Sequence, residues 1–113
     1  MRRLYYTPEA LTDLQTVRET VLERFGSPDL ANQILREIMK KIRSLEVFPM
    51  QGPELELSFS EVSEYRYLFV KKNYVFYRIE GEQIRIVRIL NEKREFMRIL
   101  FGISETEQEE EMD

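Results

Sequence analysis

The sequence predicts an α+β domain: an N-terminal strand, an antiparallel α-helical hairpin, and a mostly antiparallel β-sheet on which the hairpin packs. Three observations predict it. Two helix-start signals, Thr7-Pro8 and Ser27-Pro28, each open a segment with apolar residues at helical spacing. Three later runs, 65–70, 74–79 and 83–90, are dense in aromatic and β-branched residues. The links between those runs are short enough to demand hairpins.

Leu4, Tyr5 and Tyr6 form a short first strand that ends at Thr7-Pro8. Thr7 is suited to cap a helix, and Pro8 fits its first position, where a missing N–H costs nothing. In the helix that follows, Leu11, Leu14, Val21, Leu22 and Phe25 are assigned to the buried side, and Asp13, Gln15, Glu19 and Glu23 to solvent. Gly26 stops it. After Ser27-Pro28-Asp29 a second helix runs to about Val47 with the stripe Leu30, Ile34, Leu35, Ile38, Ile42 and Leu45. Lys40, Lys41 and Arg43 lie near its C-terminal end, where cations suit the helix dipole. Two helices so closely joined must be antiparallel.

Phe48-Pro49-Met50-Gln51-Gly52-Pro53 breaks the helical pattern. Residues 54–64 read as a loop with a short strand around Leu55 to Phe59. The three strand runs follow, linked by Lys71-Lys72-Asn73 and Glu80-Gly81-Glu82. Tyr74 and Phe76 point to one face of the sheet, and Val75, Tyr77 and Ile79 to the other. One face covers the hairpin. The other is either open to a partner or covered by residues 96–103, which hold Phe96, Met97, Ile99, Leu100 and Phe101. Residues 1–103 form one domain, and the acidic tail 104–113 is expected to be disordered.

The 113 residues include no cysteine and no histidine. Disulfides, thiolate metal sites and the commonest general base near neutral pH are thereby excluded, and neither a metal nor a cofactor is expected. No apolar run approaches the length of a membrane span, and the first residues do not resemble a signal peptide, so a cytoplasmic protein is expected. The net charge of −4 hides an uneven distribution. The tail carries Glu105, Glu107, Glu109, Glu110, Glu111 and Asp113 without a base. Residues 8–64 hold 6 basic and 11 acidic residues, a balance of −5, whereas residues 65–98 hold 9 basic and 4 acidic, a balance of +5. Such a swing marks either a solvated surface or a site for an anionic target or acidic partner.

The order strand, helical hairpin, meander resembles the RelE/ParE superfamily of toxins from type II toxin–antitoxin systems. The matching residues are Thr7-Pro8-Glu9-Ala10 with Asp13-Leu14, Ile42 with Leu45, Phe48-Pro49 with Gly52, Tyr65-Arg66, the run Asn73 to Ile79, and Ile84 to Leu90 followed by Lys93-Arg94-Glu95-Phe96. The resemblance covers roughly residues 3–101. It implies a cognate antitoxin as partner, growth inhibition and a plasmid-stabilisation type of role. RelE-like members cut messenger RNA on the ribosome. ParE-like members inhibit DNA gyrase and are not known for chemistry of their own.

The resemblance places Arg66 and Arg94 where the family has functional basic residues; they are the catalytic candidates if the chain is a ribonuclease. A guanidinium fork pairs a phosphate through two hydrogen bonds. Lys71, Lys72, Lys93, Arg94 and Arg98 are the candidates for binding a target or nucleic acid. Each also has a structural reading. Arg66 pairs equally well with Glu61 or Glu64, and Arg94 with Glu92 or Glu95, while turn lysines often serve solubility alone. Tyr77 reads as core. Arg85 and Arg88 project from opposite faces of a regular strand and share one patch only across a bulge.

Three departures weigh against the nuclease. Many ribosome-dependent members have an arginine at the position of Val75, the loop after the last strand lacks histidine, and Phe96 offers no phenolic hydroxyl. The expectation is therefore a ParE-like toxin directed at a target such as gyrase. The alternatives are a RelE-like ribosome-dependent endoribonuclease and a degenerate toxin that keeps only antitoxin binding.

Overall fold

A computed structural model describes residues 2–57 and 61–102. Strand β1 (Arg3–Tyr6) leads into helix α1 (Pro8–Phe25) and helix α2 (Pro28–Arg43), and α2 ends in a single 3₁₀ turn at Ser44–Glu46. Strands β2 (Glu54–Glu56), β3 (Val62–Val70), β4 (Asn73–Glu80) and β5 (Gln83–Asn91) follow, then the short helix α3 (Phe96–Phe101). The sheet order is β1-β5-β4-β3-β2. Only β1 pairs in parallel, with β5; the other neighbours are antiparallel. The expected architecture is therefore the observed one. The expected strand through Phe59 runs partly outside the described residues, and the expected disorder of 104–113 lies wholly outside them.

Local signals set both helices. The Thr7 hydroxyl accepts from the Ala10 N–H at 3.0 Å, and the Ser27 hydroxyl from the Leu30 N–H at 3.1 Å. Gly26 ends α1 in the left-handed region at φ 60°, its N–H bonded to the Leu22 carbonyl. α2 stops at Arg43, shorter than the expected limit near Val47, because its last turn tightens into the 3₁₀ turn.

The sheet buries both faces. Ile38, Ile42 and Leu45 from α2 and its 3₁₀ turn, with Ala10 from α1, pack on Val75, Tyr77, Ile84, Ile86 and Ile89. On the opposite face Phe76 and Leu90 meet Phe96, Ile99, Leu100 and Phe101. Of the two possibilities for that face, coverage by the segment after β5 is the one realised. The Phe96 ring stands 5.5 Å from Tyr74 and 5.2 Å from Phe76, and Phe101 meets Tyr65 at 5.4 Å. A six-residue helix has little stability alone, so these aromatic contacts are what hold it in place.

The buried side of α1 differs from expectation. Ala10, Asp13 and Val21 are buried, while Leu11 is 53% and Phe25 63% exposed. The true stripe runs through 10, 13, 14, 17 and 21, and Leu11 lies about 100° around the helix from Ala10. A carboxylate faces inward because β1 ends at Tyr6 and leaves the edge of β5 beyond Ile86 without a strand. α1 fills that edge. The Thr7 hydroxyl donates to the Val87 carbonyl at 2.8 Å. Asp13 Oδ2 accepts from the Ile89 N–H at 2.9 Å and from Arg88 Nε at 2.7 Å, and Oδ1 accepts from Arg88 Nη2 at 2.9 Å. These bonds to Asp13 hold the Arg88 guanidinium even more firmly protonated than usual.

A bulge makes the pairing possible. Phe76 pairs with Arg88 and Tyr77 with Ile86, so Val87 has no partner on β4. Arg85 and Arg88 still form no common patch. Arg85 lies over the Tyr5 ring at 5.1 Å, and Arg88 turns to Asp13.

Asp13→Ala is expected to lower the unfolding free energy by about 3 kcal/mol, since it removes charged hydrogen bonds and strands a half-buried guanidinium and an edge N–H. Urea denaturation checks it, and a loss below about 0.5 kcal/mol would mean that α1 holds its place without this contact.

Candidate functional site

The β3–β4 hairpin closes through Lys71 and Lys72, between the paired residues Val70 and Asn73. Both lysines have positive φ, 49° and 63°. This is the pattern of a type I′ turn, whose twist matches that of the strands it joins. Asn and Gly usually fill such positions, because a Cβ is disfavoured there; two lysines cost about 1 kcal/mol or more each. The turn is held by the Asn73 side-chain amide, which donates to the Lys71 carbonyl at 2.8 Å, and by the Glu92 N–H, which donates to the Lys72 carbonyl at 2.9 Å. Lys71 Nζ lies 3.1 Å from Glu37 on α2.

Between this turn and the helical hairpin runs a groove of about 550 Å³. Val17 and Val21 of α1, Leu30 and Ile34 of α2, and Ile89 of β5 line it, with the exposed Phe25 among them. Its cations are Arg24, Lys71, Lys72 and Arg94. Among the described residues Arg24, Lys72 and Arg94 make no ion pair. The one carboxylate among the described lining residues is Asp13, already committed to Arg88 and Ile89.

Such a groove can hold an anionic, amphipathic ligand, with carboxylates or phosphates at the cations and apolar groups against the walls. Proton transfer needs an available acid or base within reach. Among the described lining residues Asp13 is engaged, the lysines offer proton donors, and the uncharged polar groups are Thr16, Thr20, Asn73 and Asn91. The Tyr77 hydroxyl is also engaged: it accepts from the Gly52 N–H at 3.0 Å and donates to the Pro49 carbonyl at 2.8 Å. Burial pushes its pKa up. Among the described residues no group of three acidic side chains is placed to hold a metal ion.

The structure brings together Lys71, Lys72 and Arg94 of the residues singled out in the sequence. Lys93 is exposed in the loop beside Arg94, its N–H bonded to the Asn91 side chain at 3.0 Å. Arg98 is on α3, paired with Glu95 at 3.4 Å. Arg66 sits elsewhere. Its guanidinium donates to the Gly52 carbonyl at 2.8 Å and pairs with Glu54 at 3.3 Å, and Glu64 pairs with Arg78 instead. With Tyr77 it fastens the linker after the hairpin to the sheet, and a Cβ on Gly52 would lie 2.3 Å from the Tyr67 carbonyl oxygen. Five residues of strand, about 17 Å, separate Arg66 from Lys71 at the groove. Arg94 is paired with neither Glu92 nor Glu95 among the described residues. Sequence reasoning missed Arg24 and misassigned Phe25. The available signal was their position in the last turn of α1, directly before Gly26, where the buried stripe runs out.

Comparison with known proteins settles the family. Residues 4–96 match the model of the ParE toxin of the type II toxin-antitoxin system parDE. The chain belongs to the ParE toxin family. The chromosomal ParDE toxin–antitoxin system of P. aeruginosa contains a similar chain, with a TM-score of 0.67 and 26% identity over 80% of this chain and 96% of that one. The E. coli DinJ–YafQ complex shares the fold, with a TM-score of 0.52 and 16% identity over 90% of this chain and 100% of that one. Sequence comparison with curated proteins yields no match. Every cation of the groove falls inside the ParE match, whereas Arg98 and the acidic tail fall outside it.

Replacing the turn by Asn-Gly, as Lys71→Asn with Lys72→Gly, is expected to raise stability by about 1–2 kcal/mol because both new residues suit positive φ. Thermal denaturation measures it. An unchanged or lower midpoint would show that the lysines sit there without strain.

Proposed function

We propose that this ParE-family toxin binds and blocks an essential protein, with DNA gyrase as the target, and performs no chemistry of its own. A cognate antitoxin neutralises it by seating an acidic, amphipathic segment in the groove, and the pair serves a plasmid-stabilisation role. The observation that carries this reading is the groove itself. It joins four cations to apolar walls, and the carboxylate among its described residues, Asp13, is locked into the fold. Apolar walls suit a peptide better than a phosphodiester chain, and the cations supply charge complementarity.

The groove cations favour a second reading, a RelE-like ribonuclease. Lys71, Lys72 and Arg94 are suited to stabilise a charged phosphate. That reading also needs Arg66 as a catalytic partner. Arg66 is instead engaged with Gly52 and Glu54, outside the groove.

Induction of the chain alone in a bacterial host, with transcript integrity and the DNA-damage response followed together, separates the readings. Intact transcripts with a damage response are expected, and Lys72→Glu with Arg94→Glu should abolish the response. Rapid transcript cleavage that Arg66→Ala with Arg94→Ala removes would establish the ribonuclease. Normal growth with neither sign would reduce the chain to an antitoxin-binding remnant.

A further inference from the structure

We propose that the groove has an occupant within this chain: the acidic segment 104–113, which lies against Lys71, Lys72 and Arg94 and competes there with any acidic partner. The first support is charge. Arg24, Lys72 and Arg94 are without an ion-pair partner among the described residues. The tail supplies Glu105, Glu107, Glu109, Glu110, Glu111 and Asp113 with no cation among them. Lys72 stands beside Lys71 on the positive-φ turn, and although Glu37 pairs Lys71 from one side, the two neighbouring ammonium groups suit adjacent carboxylates.

The second support is reach. α3 ends where Phe101 meets Tyr65. Tyr65 is six residues before Lys71 on one strand, a distance of about 20 Å. Residues 103–113 span about 36 Å when extended. The triplet Glu109 to Glu111 lies about 23–32 Å of chain beyond Gly102, which covers the distance to the turn and leaves slack for the path around the sheet edge. The third support is composition. Met112 follows the glutamates directly, and the exposed Phe25 and the apolar walls line the same groove as the cations. The tail thus offers both the charge and the apolar side chain that the groove can receive. Tethering presents the tail at about millimolar effective concentration, so even a weak contact is populated.

Zero-length carbodiimide cross-linking of the full chain tests this, with peptide mapping by mass spectrometry. Amide bonds between the tail carboxylates and Lys71 or Lys72 are expected, independent of protein concentration and suppressed by salt. Lys40 and Lys41 on α2, equally exposed and lining no part of the groove, serve as the internal comparison. Cross-links spread equally onto Lys40 and Lys41 would overturn the proposal, as would cross-links that scale with concentration, which would place the tail on a second copy. A second measurement needs no cross-linker. A synthetic peptide of residues 104–113 is titrated into the chain truncated after Gly102 and into the full chain. Binding to the truncated chain several-fold tighter than to the full chain is expected, and to be lost with Lys72→Glu and Arg94→Glu. Equal binding to both chains, or none to either, would refute the contact whatever the toxin's target.

Discussion

The Asp13 carboxylate takes the place of a missing piece of strand. β1 is four residues long and its partner β5 is nine, so part of β5 would present unpaired backbone to a helix. Asp13 accepts the Ile89 N–H, and the Thr7 hydroxyl serves the Val87 carbonyl. A buried carboxylate is costly unless its charge and lone pairs are met, and Arg88 meets them through two hydrogen bonds. The bulge at Val87 accompanies this contact. It fixes α1 against β5, and the groove depends on that placement, because Asp13, Val17, Val21 and Ile89 are all in its wall.

The same contact shapes the electrostatics of the site. With Asp13 spent on Arg88, no carboxylate among the described lining residues offsets Arg24, Lys71, Lys72 and Arg94 from within. From α2, Glu37 approaches Lys71, the one groove cation that is ion-paired among the described residues. What remains is a concave, partly apolar surface with positive potential. Such a surface steers acidic segments toward it and holds them after contact. On the opposite face α3 covers Phe76 and Leu90.

Much of the fold was legible in the sequence because its signals are local. Thr7-Pro8 and Ser27-Pro28 cap the helices they announce, Gly26 ends the first, and the aromatic runs pair as the short links require. The site was only partly legible. Lys71, Lys72 and Arg94 were singled out, but nothing local tells that Arg24 joins them from another element. Asp13 carries a charge and so reads as solvent-facing; its partners are 75 and 76 positions away, and their need for it arises from the unequal strand lengths. Arg66 was assigned an acidic neighbour in sequence, but its partner Glu54 reaches it across the β2–β3 pairing. The turn length also differed by one residue: Asn73 belongs to β4, and that leaves a two-residue turn with both lysines at positive φ.

The proposed inhibition by this ParE-family toxin works by occupancy, through the groove. Stoichiometry tests it most directly, because a blocker titrates its target whereas an enzyme acts far below equivalence. Purified chain added to gyrase in a DNA supercoiling assay should inhibit in proportion to the gyrase present, and Lys72→Glu with Arg94→Glu should not inhibit. Gyrase left active while a trace of the chain cuts messenger RNA on programmed ribosomes would contradict the account.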